Sequence, residues 1–143
     1  MGVTAPWSAE DFSDLLGTPG AFLVTLPPSS LQKYAIQPDH PALPLPAFAL
    51  GRTVLEEAEL LTLAVDPDHQ RQGLGQACLQ AFEAEAAEQG AERLFLEVAA
   101  TNLAAIALYR VNGWSEDGVR SGYYNVENRR VDAILFSKSL KQV

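Results

Sequence analysis

The apolar residues of this chain fall into short blocks whose spacing alternates between strand-like and helix-like periods. Ala21–Leu26 is a brief apolar run suited to a strand, and Pro27-Pro28 ends it because proline cannot continue a central ladder. Ala47–Leu55 and Glu59–Val65 predict two antiparallel strands joined by a Glu-rich turn, the second nearly all apolar and therefore interior. In Gly73–Gln89, Leu74, Cys78, Phe82 and Ala86 recur every four residues beside Ala77 and Ala81, the mark of an amphipathic helix that Gly90 ends. Leu94–Ala99 reads as a strand, Asn102–Val111 as a second helix with Gly113 just past its end, and Val131–Phe136 as a late strand.

Two stretches do not follow either period. Pro6-Trp7-Ser8-Ala9-Glu10-Asp11 opens a helix, with Ser8 as N-cap, Asp11 returning the bond and Gly17 as the stop. Pro27, Pro28, Pro38, Pro41, Pro44 and Pro46 crowd the segment 27–46, read as an ordered excursion. No internal repeat is visible. The order strand, helix, strand, helix, strand after an antiparallel start predicts an α+β domain on a mixed sheet.

Composition narrows the picture. At 143 residues and 48% hydrophobic content the chain can bury one substantial core, so a single domain over 1–143 is expected. No apolar run is long enough to span a bilayer, and the first ten residues lack the form of a secretory signal, which predicts a cytoplasmic protein without membrane attachment. The single cysteine, Cys78, excludes an internal disulfide and a thiolate-built metal site. His40 and His69 do not recur at metal-ligand spacing, so no metal is expected. A net charge of −8 argues against nucleic-acid binding and favours a cationic partner. Glu83, Glu85, Glu88 and Glu92 read as the solvated face of one helix.

Candidate chemistry begins at Gln70-Arg71-Gln72-Gly73-Leu74-Gly75, between an apolar strand and a helix. Glycines there admit a ligand to the backbone, the first helical N–H groups point outward, and Arg71 adds a charge, which together make an anion cradle. A Walker loop would need Gly-Lys-Ser/Thr where the chain has Gly-Leu-Gly-Gln, and a dinucleotide fingerprint would need a third small residue at Cys78. On its own such a turn is more often a plain helix cap. Glu97 places a carboxylate inside a hydrophobic strand, either facing water or paired with Arg93, or serving as a base beside a cleft. Asn102 stands where an N-cap belongs, and Tyr109 reads alone as a half-buried core aromatic.

The runs Leu61–Gly75 and Leu96–Tyr109, followed by Gly113-Trp114, resemble the GNAT acetyltransferase superfamily. Within it the likeness is to the RimI-type ribosomal-protein-alanine N-acetyltransferases, which Pro6-Trp7-Ser8, Gly122-Tyr123-Tyr124 and Val131-Asp132-Ala133-Ile134 also resemble. The resemblance implies the GNAT fold, a central mixed, mostly antiparallel twisted sheet flanked by helices, here lacking the usual first strand and helix. It implies acetyl-CoA as co-substrate and transfer of its acetyl group to a primary amine, the N-terminal alanine of a ribosomal protein. Leu63, Ala64 and Val65 would pair with the pantetheine arm. Arg71, Gln72, Gly73, Leu74, Gly75 and Gln76 would hold the pyrophosphate, and Asn102 would bond the cofactor near the pantetheine. Glu97 would be the general base, through water, and Tyr109 the general acid for the departing thiolate, with Tyr123 and Tyr124 gripping the acceptor. Direct attack needs no covalent enzyme intermediate, so Cys78 reads as core. Two other readings stay open: a small-molecule amine as acceptor, and a non-catalytic acetyl-CoA-binding sensor or partner module.

Overall fold

Among the described residues, six strands and two helices follow one another as β1 (Ala21–Thr25), β2 (Ala47–Val54), β3 (Glu57–Val65), α1 (Leu74–Glu88), β4 (Arg93–Ala99), α2 (Leu103–Val111), β5 (Ser115–Val126) and β6 (Arg129–Ser139). The computed structural model describes residues 17–25, 47–65 and 73–140. The expected Ser8 helix start, the whole proline-rich excursion 27–46, Arg71, Gln72 and both histidines lie outside the described residues.

The strands form one sheet in the order β1-β2-β3-β4-β6-β5. Every neighbouring pair is antiparallel except β3 and β4, which run parallel because α1 carries the chain back across the sheet between them. The α+β class and the mixed, mostly antiparallel sheet therefore stand as the sequence predicted. None of the described helices is long and apolar enough to cross a membrane.

One face of the sheet carries the core. Ala47 and Ala49 of β2, Leu94, Leu96 and Val98 of β4 and Phe136 of β6 meet Cys78, Leu79, Phe82 and Ala86 of α1 and Ala105, Ile106 and Tyr109 of α2. The helix stripe is shifted from the predicted one. Gly75 and Leu79 are buried in α1 with Cys78, Phe82 and Ala86, whereas Ala77 is exposed. A fourfold spacing drifts around a helix of 3.6 residues per turn, so the buried stripe must step back by one residue along its length.

β3 shows how the backbone keeps this face apolar. Its pairing with β2 slips by one residue, Leu50 standing opposite Thr62 and Gly51 opposite Leu60, which leaves Leu61 as the extra residue of a bulge. The extra residue reverses the alternation, so Ala58 and Leu60 before it and Leu63 and Val65 after it all enter the same core.

Two corrections concern polar segments. β5 escapes the hydrophobic pattern because it is a largely exposed edge strand, and its register with β6 shifts at Glu116/Gly118 and again at Arg120/Tyr124. A strand bulged twice loses the period-2 signal. Glu83 is not a solvated carboxylate: its side chain is 11% exposed and lies 2.6 Å from Lys138 Nζ. Trp114 Nε1 donates to the other Glu83 oxygen, and Lys138 also donates to the Asn112 carbonyl. Both charges are thus partnered where they leave water, tying α1 to the end of α2 and to β6.

Gly51 gives the aromatic pair its room. Phe22 and Phe82 stack with centroids 5.7 Å apart, and a Cβ at Gly51 would lie 2.5 Å from the Phe82 ring and 2.7 Å from that of Phe22. Gly51→Ala is expected to destabilise the fold by about 1–3 kcal/mol, as overpacking does. The effect should appear as a lower denaturant midpoint, and an unchanged midpoint would show that the rings yield freely.

Candidate active site

The parallel pair β3/β4 is fastened at one end and open at the other. At its start the Glu56 carbonyl accepts from the backbone N–H groups of Glu92 (2.6 Å) and Arg93 (3.2 Å). Pairing then runs through Glu57/Arg93, Ala58/Leu94 and Glu59/Phe95, and there it ends. Beyond Glu59 the bulge at Leu61 bends β3, and the two strands separate, β3 toward Val65 and β4 toward Ala99.

Both helices begin at this open end. β3 and β4 run the same way, so the start of α1, after Val65, and the start of α2, after Ala99, lie at the carboxyl ends of the parallel strands. Open sheets bind their ligands at such ends. Gly73 caps α1 with φ 75°, a left-handed backbone that favours glycine, and makes no side-chain capping bond. The first N–H groups of α1, at Leu74, Gly75 and Gln76, therefore meet no capping side chain and no acidic residue of the first turn. That is an anion site by geometry. Leu63, Ala64 and Val65 lie on the length of β3 that pairs with β2 on one side and no longer pairs with β4 on the other.

Asn102 is the N-cap of α2. Its Oδ1 accepts from Ala105 N at 3.2 Å, so the capping role is filled by the oxygen, and the Nδ2 amide is what remains to donate.

Glu97 and Tyr109 stand on opposite faces of the sheet. Leu96 and Val98 point into the helix-covered core, so Glu97 between them points to the other face. Tyr109 belongs to the core side, 6% exposed, with its ring 5.9 Å from Trp114 and 6.0 Å from Phe136. Among the described residues its hydroxyl has no hydrogen-bond partner. A buried hydroxyl without a protein partner is uncommon and points to a ligand atom or water. Burial pushes the Tyr109 phenol up to about 12, with Tyr124 adding to the rise.

The face opposite α1 and α2 holds a cleft of about 460 Å³ floored by Phe95 and Leu135. Glu57, Glu59, Glu97 and Asp117 supply four carboxylates to its wall, against the guanidinium groups of Arg52 and Arg120. Arg120 Nη2 stands 3.4 Å from Glu97 Oε1. Glu97 is thus paired across strands with Arg120, whereas Arg93 stacks over Phe95 at 5.2 Å.

A bulge in β5 sets the two tyrosines just outside this cleft, beside Arg120 and Glu97. Between the pairs Arg120/Ala133 and Tyr124/Val131, three residues of β5 oppose Asp132 alone. Gly122, at φ 58°, turns the chain there, and its N–H donates to Asp132 Oδ1 at 2.8 Å. The Asp132 carbonyl also accepts from Ala100 N at the end of β4. Tyr123 and Tyr124 emerge edge to face at 5.1 Å. Burial raises the Tyr124 phenol first, the Glu97 carboxylate raises it further, and Arg120 opposes them. Tyr124 therefore feels the Glu97 carboxylate and in turn raises the Tyr109 phenol.

Arg71 and Gln72 fall outside the described residues. Cys78 is buried in the core, its thiol pushed up to about 12 by desolvation, as an inert structural cysteine should be. Arg120, Asp132 and the acidic wall were not assigned roles from the sequence. Their partners are set by bulge geometry, which leaves no spacing signal. Among the described residues no cluster of His, Cys, Asp or Glu is arranged to hold a metal.

Comparison with known proteins bears on this geometry. Residues 45–114 match the model of the Acetyltransferase (GNAT) family. The chain is 48% identical to the ribosomal protein bS18-alanine N-acetyltransferase of Escherichia coli (strain K12) over 91 residues, 64% of this chain and 62% of that protein. The matched part thus spans less than two thirds of that relative's length. It is 33% identical to the protein of the same name from Haemophilus ducreyi over 133 residues, 92% of this chain and 82% of the relative. The crystal structure of the Escherichia coli ribosomal-protein-S18-alanine N-acetyltransferase superposes with a TM-score of 0.66 at 34% identity, covering 86% of this chain and 96% of that one.

The buried phenol makes a prediction about alkaline stability. Unfolded, Tyr109 ionises near its ordinary value of 10.0, and folded near about 12. Above pH 10 the unfolded state loses this proton first, so its contribution is complete below pH 10 and is lost as pH rises toward about 12. Tyr109→Phe should flatten the fall in denaturant midpoint across that window, whereas an equal slope in the variant would mean that the phenol is not the group responsible.

Proposed function

The chain belongs to the GNAT acetyltransferase family, and from that premise we propose that it transfers the acetyl group of acetyl-CoA to a primary amine, the N-terminal alanine amine of a ribosomal protein. The observation that carries the reading is the placement of Glu97 and Tyr109 on opposite faces of a sheet whose strands β3 and β4 have come apart. The relatives named above supply the acceptor: their names specify the alanine of bS18. A cytoplasmic location belongs to the same proposal.

Acetyl-CoA brings an activated thioester. The unpaired edge at Leu63, Ala64 and Val65 offers backbone groups to the pantetheine amides, as a strand offers itself to an added strand. The α1 N-terminus, from Gly73 to Gln76, meets the pyrophosphate, with Arg71 and Gln72 completing the cradle. Asn102 donates its Nδ2 amide near the pantetheine.

On the face opposite α1 and α2 the acceptor ammonium enters a wall with more carboxylates than guanidiniums. Glu97 accepts its proton through water, because only the neutral amine has a lone pair to attack with. A free α-ammonium has a pKa of about 7.7–8.0, so this deprotonation is inexpensive near neutral pH. The Val65 N–H polarises the thioester carbonyl as the C–N bond forms. When the C–S bond breaks, Tyr109 donates its proton to the thiolate. A phenol held near about 12 is fully protonated at working pH and ready to donate. Tyr123 and Tyr124 flank the peptide.

Thiol release from acetyl-CoA with an Ala-initiated peptide, against the same peptide N-terminally blocked, tests the reading. Turnover that disappears on blocking is expected. Tyr109→Phe and Glu97→Gln should each lower kcat by about 10²-fold or more while acetyl-CoA still binds. Turnover only with small amines would replace the acceptor, and cofactor binding without thiol release from any amine would leave a binding module.

A further inference from the structure

The Arg120 guanidinium stands where an acceptor ammonium would have to stand. Its Nη2 is 3.4 Å from Glu97 Oε1, longer than the about 2.7–2.9 Å of a tight charge-assisted bond. The Arg120 side chain is 53% exposed and that of Glu97 is 23% exposed, and ion pairs so placed are weak and readily exchanged. In the same pose the guanidinium has a second partner, its carbon lying 5.1 Å from the centroid of the Tyr123 ring. Arg120 also sits on the edge strand, at the end of a short paired run that closes at Arg120/Ala133 and is followed directly by a register shift.

We propose that Arg120 is a resident counter-cation that competes with the acceptor ammonium for Glu97. It holds the ammonium position at Glu97 while the site is empty, keeps only its Tyr123 contact when a cationic amine arrives, and reclaims Glu97 once that amine has become an uncharged amide. The inference rests on the reading of Glu97 as the group that meets the acceptor.

Its logic is one of exchange. An incoming ammonium replaces one cation on Glu97 with another, so the carboxylate is never left without a counter-charge. A group with no positive charge has no claim on Glu97, so it leaves the guanidinium in place and its binding does not depend on Arg120. The acetylated product and the blocked peptide are such groups. The acidic groups Glu57, Glu59 and Asp117 line the same cleft and draw cations of all kinds. Arg120 is the resident cation with which each of them competes at Glu97.

The test compares wild type, R120A and R120K. Affinity for an Ala-initiated peptide and for its N-acetylated form is measured by calorimetry with coenzyme A present, which carries no acetyl group to transfer. Acceptor KM and kcat are measured in parallel by thiol release. Removing the competing cation should tighten the free-amine peptide about threefold to fivefold in R120A, the most that an exposed ion pair returns. KM should fall alongside, with no gain in kcat. R120K, which keeps a cation, should remain near wild type, and the acetylated peptide should bind wild type and R120A alike.

R120A binding the free-amine peptide no better than wild type, or tightening both peptides equally, would overturn the inference while leaving acetyl transfer standing. A wild type that binds the free-amine peptide but never releases thiol would overturn the proposed reaction, and the binding comparison would still decide the role of Arg120. A wild type that binds no amine-bearing peptide would overturn both.

Discussion

Everything chemical in this fold depends on a pair of parallel strands that stay together for three residues and then part. The Glu56 carbonyl and the pairs from Glu57/Arg93 to Glu59/Phe95 hold β3 and β4 at one end. The bulge at Leu61 then turns β3 away without turning Leu63 and Val65 out of the core. A regular β3 would pair along its length, and the sheet would close. Separation exposes backbone donors and acceptors that a sheet otherwise consumes, and in the proposed reaction the extended arm of the cofactor takes them up.

The sheet also divides two unlike environments. On the helix side Tyr109 is buried among Trp114, Phe136 and the α1 residues, a setting that keeps a phenol protonated. On the other side Glu97 stands in a carboxylate-rich cleft open to solvent. An ammonium must lose a proton on the wet side and a thiolate must gain one on the dry side. The fold assigns each residue to the environment that its proposed task requires. Asp132 coordinates the two sides, holding the β5 bulge through its carboxylate and the end of β4 through its carbonyl.

How much of this was legible in the sequence depended on how each element makes its contacts. α1, α2 and β2 to β4 announce themselves because they bury one face, and burial writes a period into the chain. Asn102 was readable both as a cap and as a cofactor contact, and the structure fills the first role with one atom while leaving the amide for the second. The resemblance to a known family located Glu97 and Tyr109, but their placement on opposite faces came only from the pairing of β4 within the sheet. β5 was illegible because it is polar, exposed and twice bulged. The partnership of Glu97 with Arg120 instead of Arg93 follows from cross-strand proximity, as does that of Glu83 with Lys138. Local spacing carries no trace of either.

The most direct test of the central claim is amide hydrogen exchange of the full chain with and without acetyl-CoA. If the unzipped edge of β3 receives the cofactor, protection should rise at Leu61–Val65 and at the first turn of α1, with β1 unchanged. Cofactor-dependent protection that spares β3, or no protection anywhere, would contradict the account.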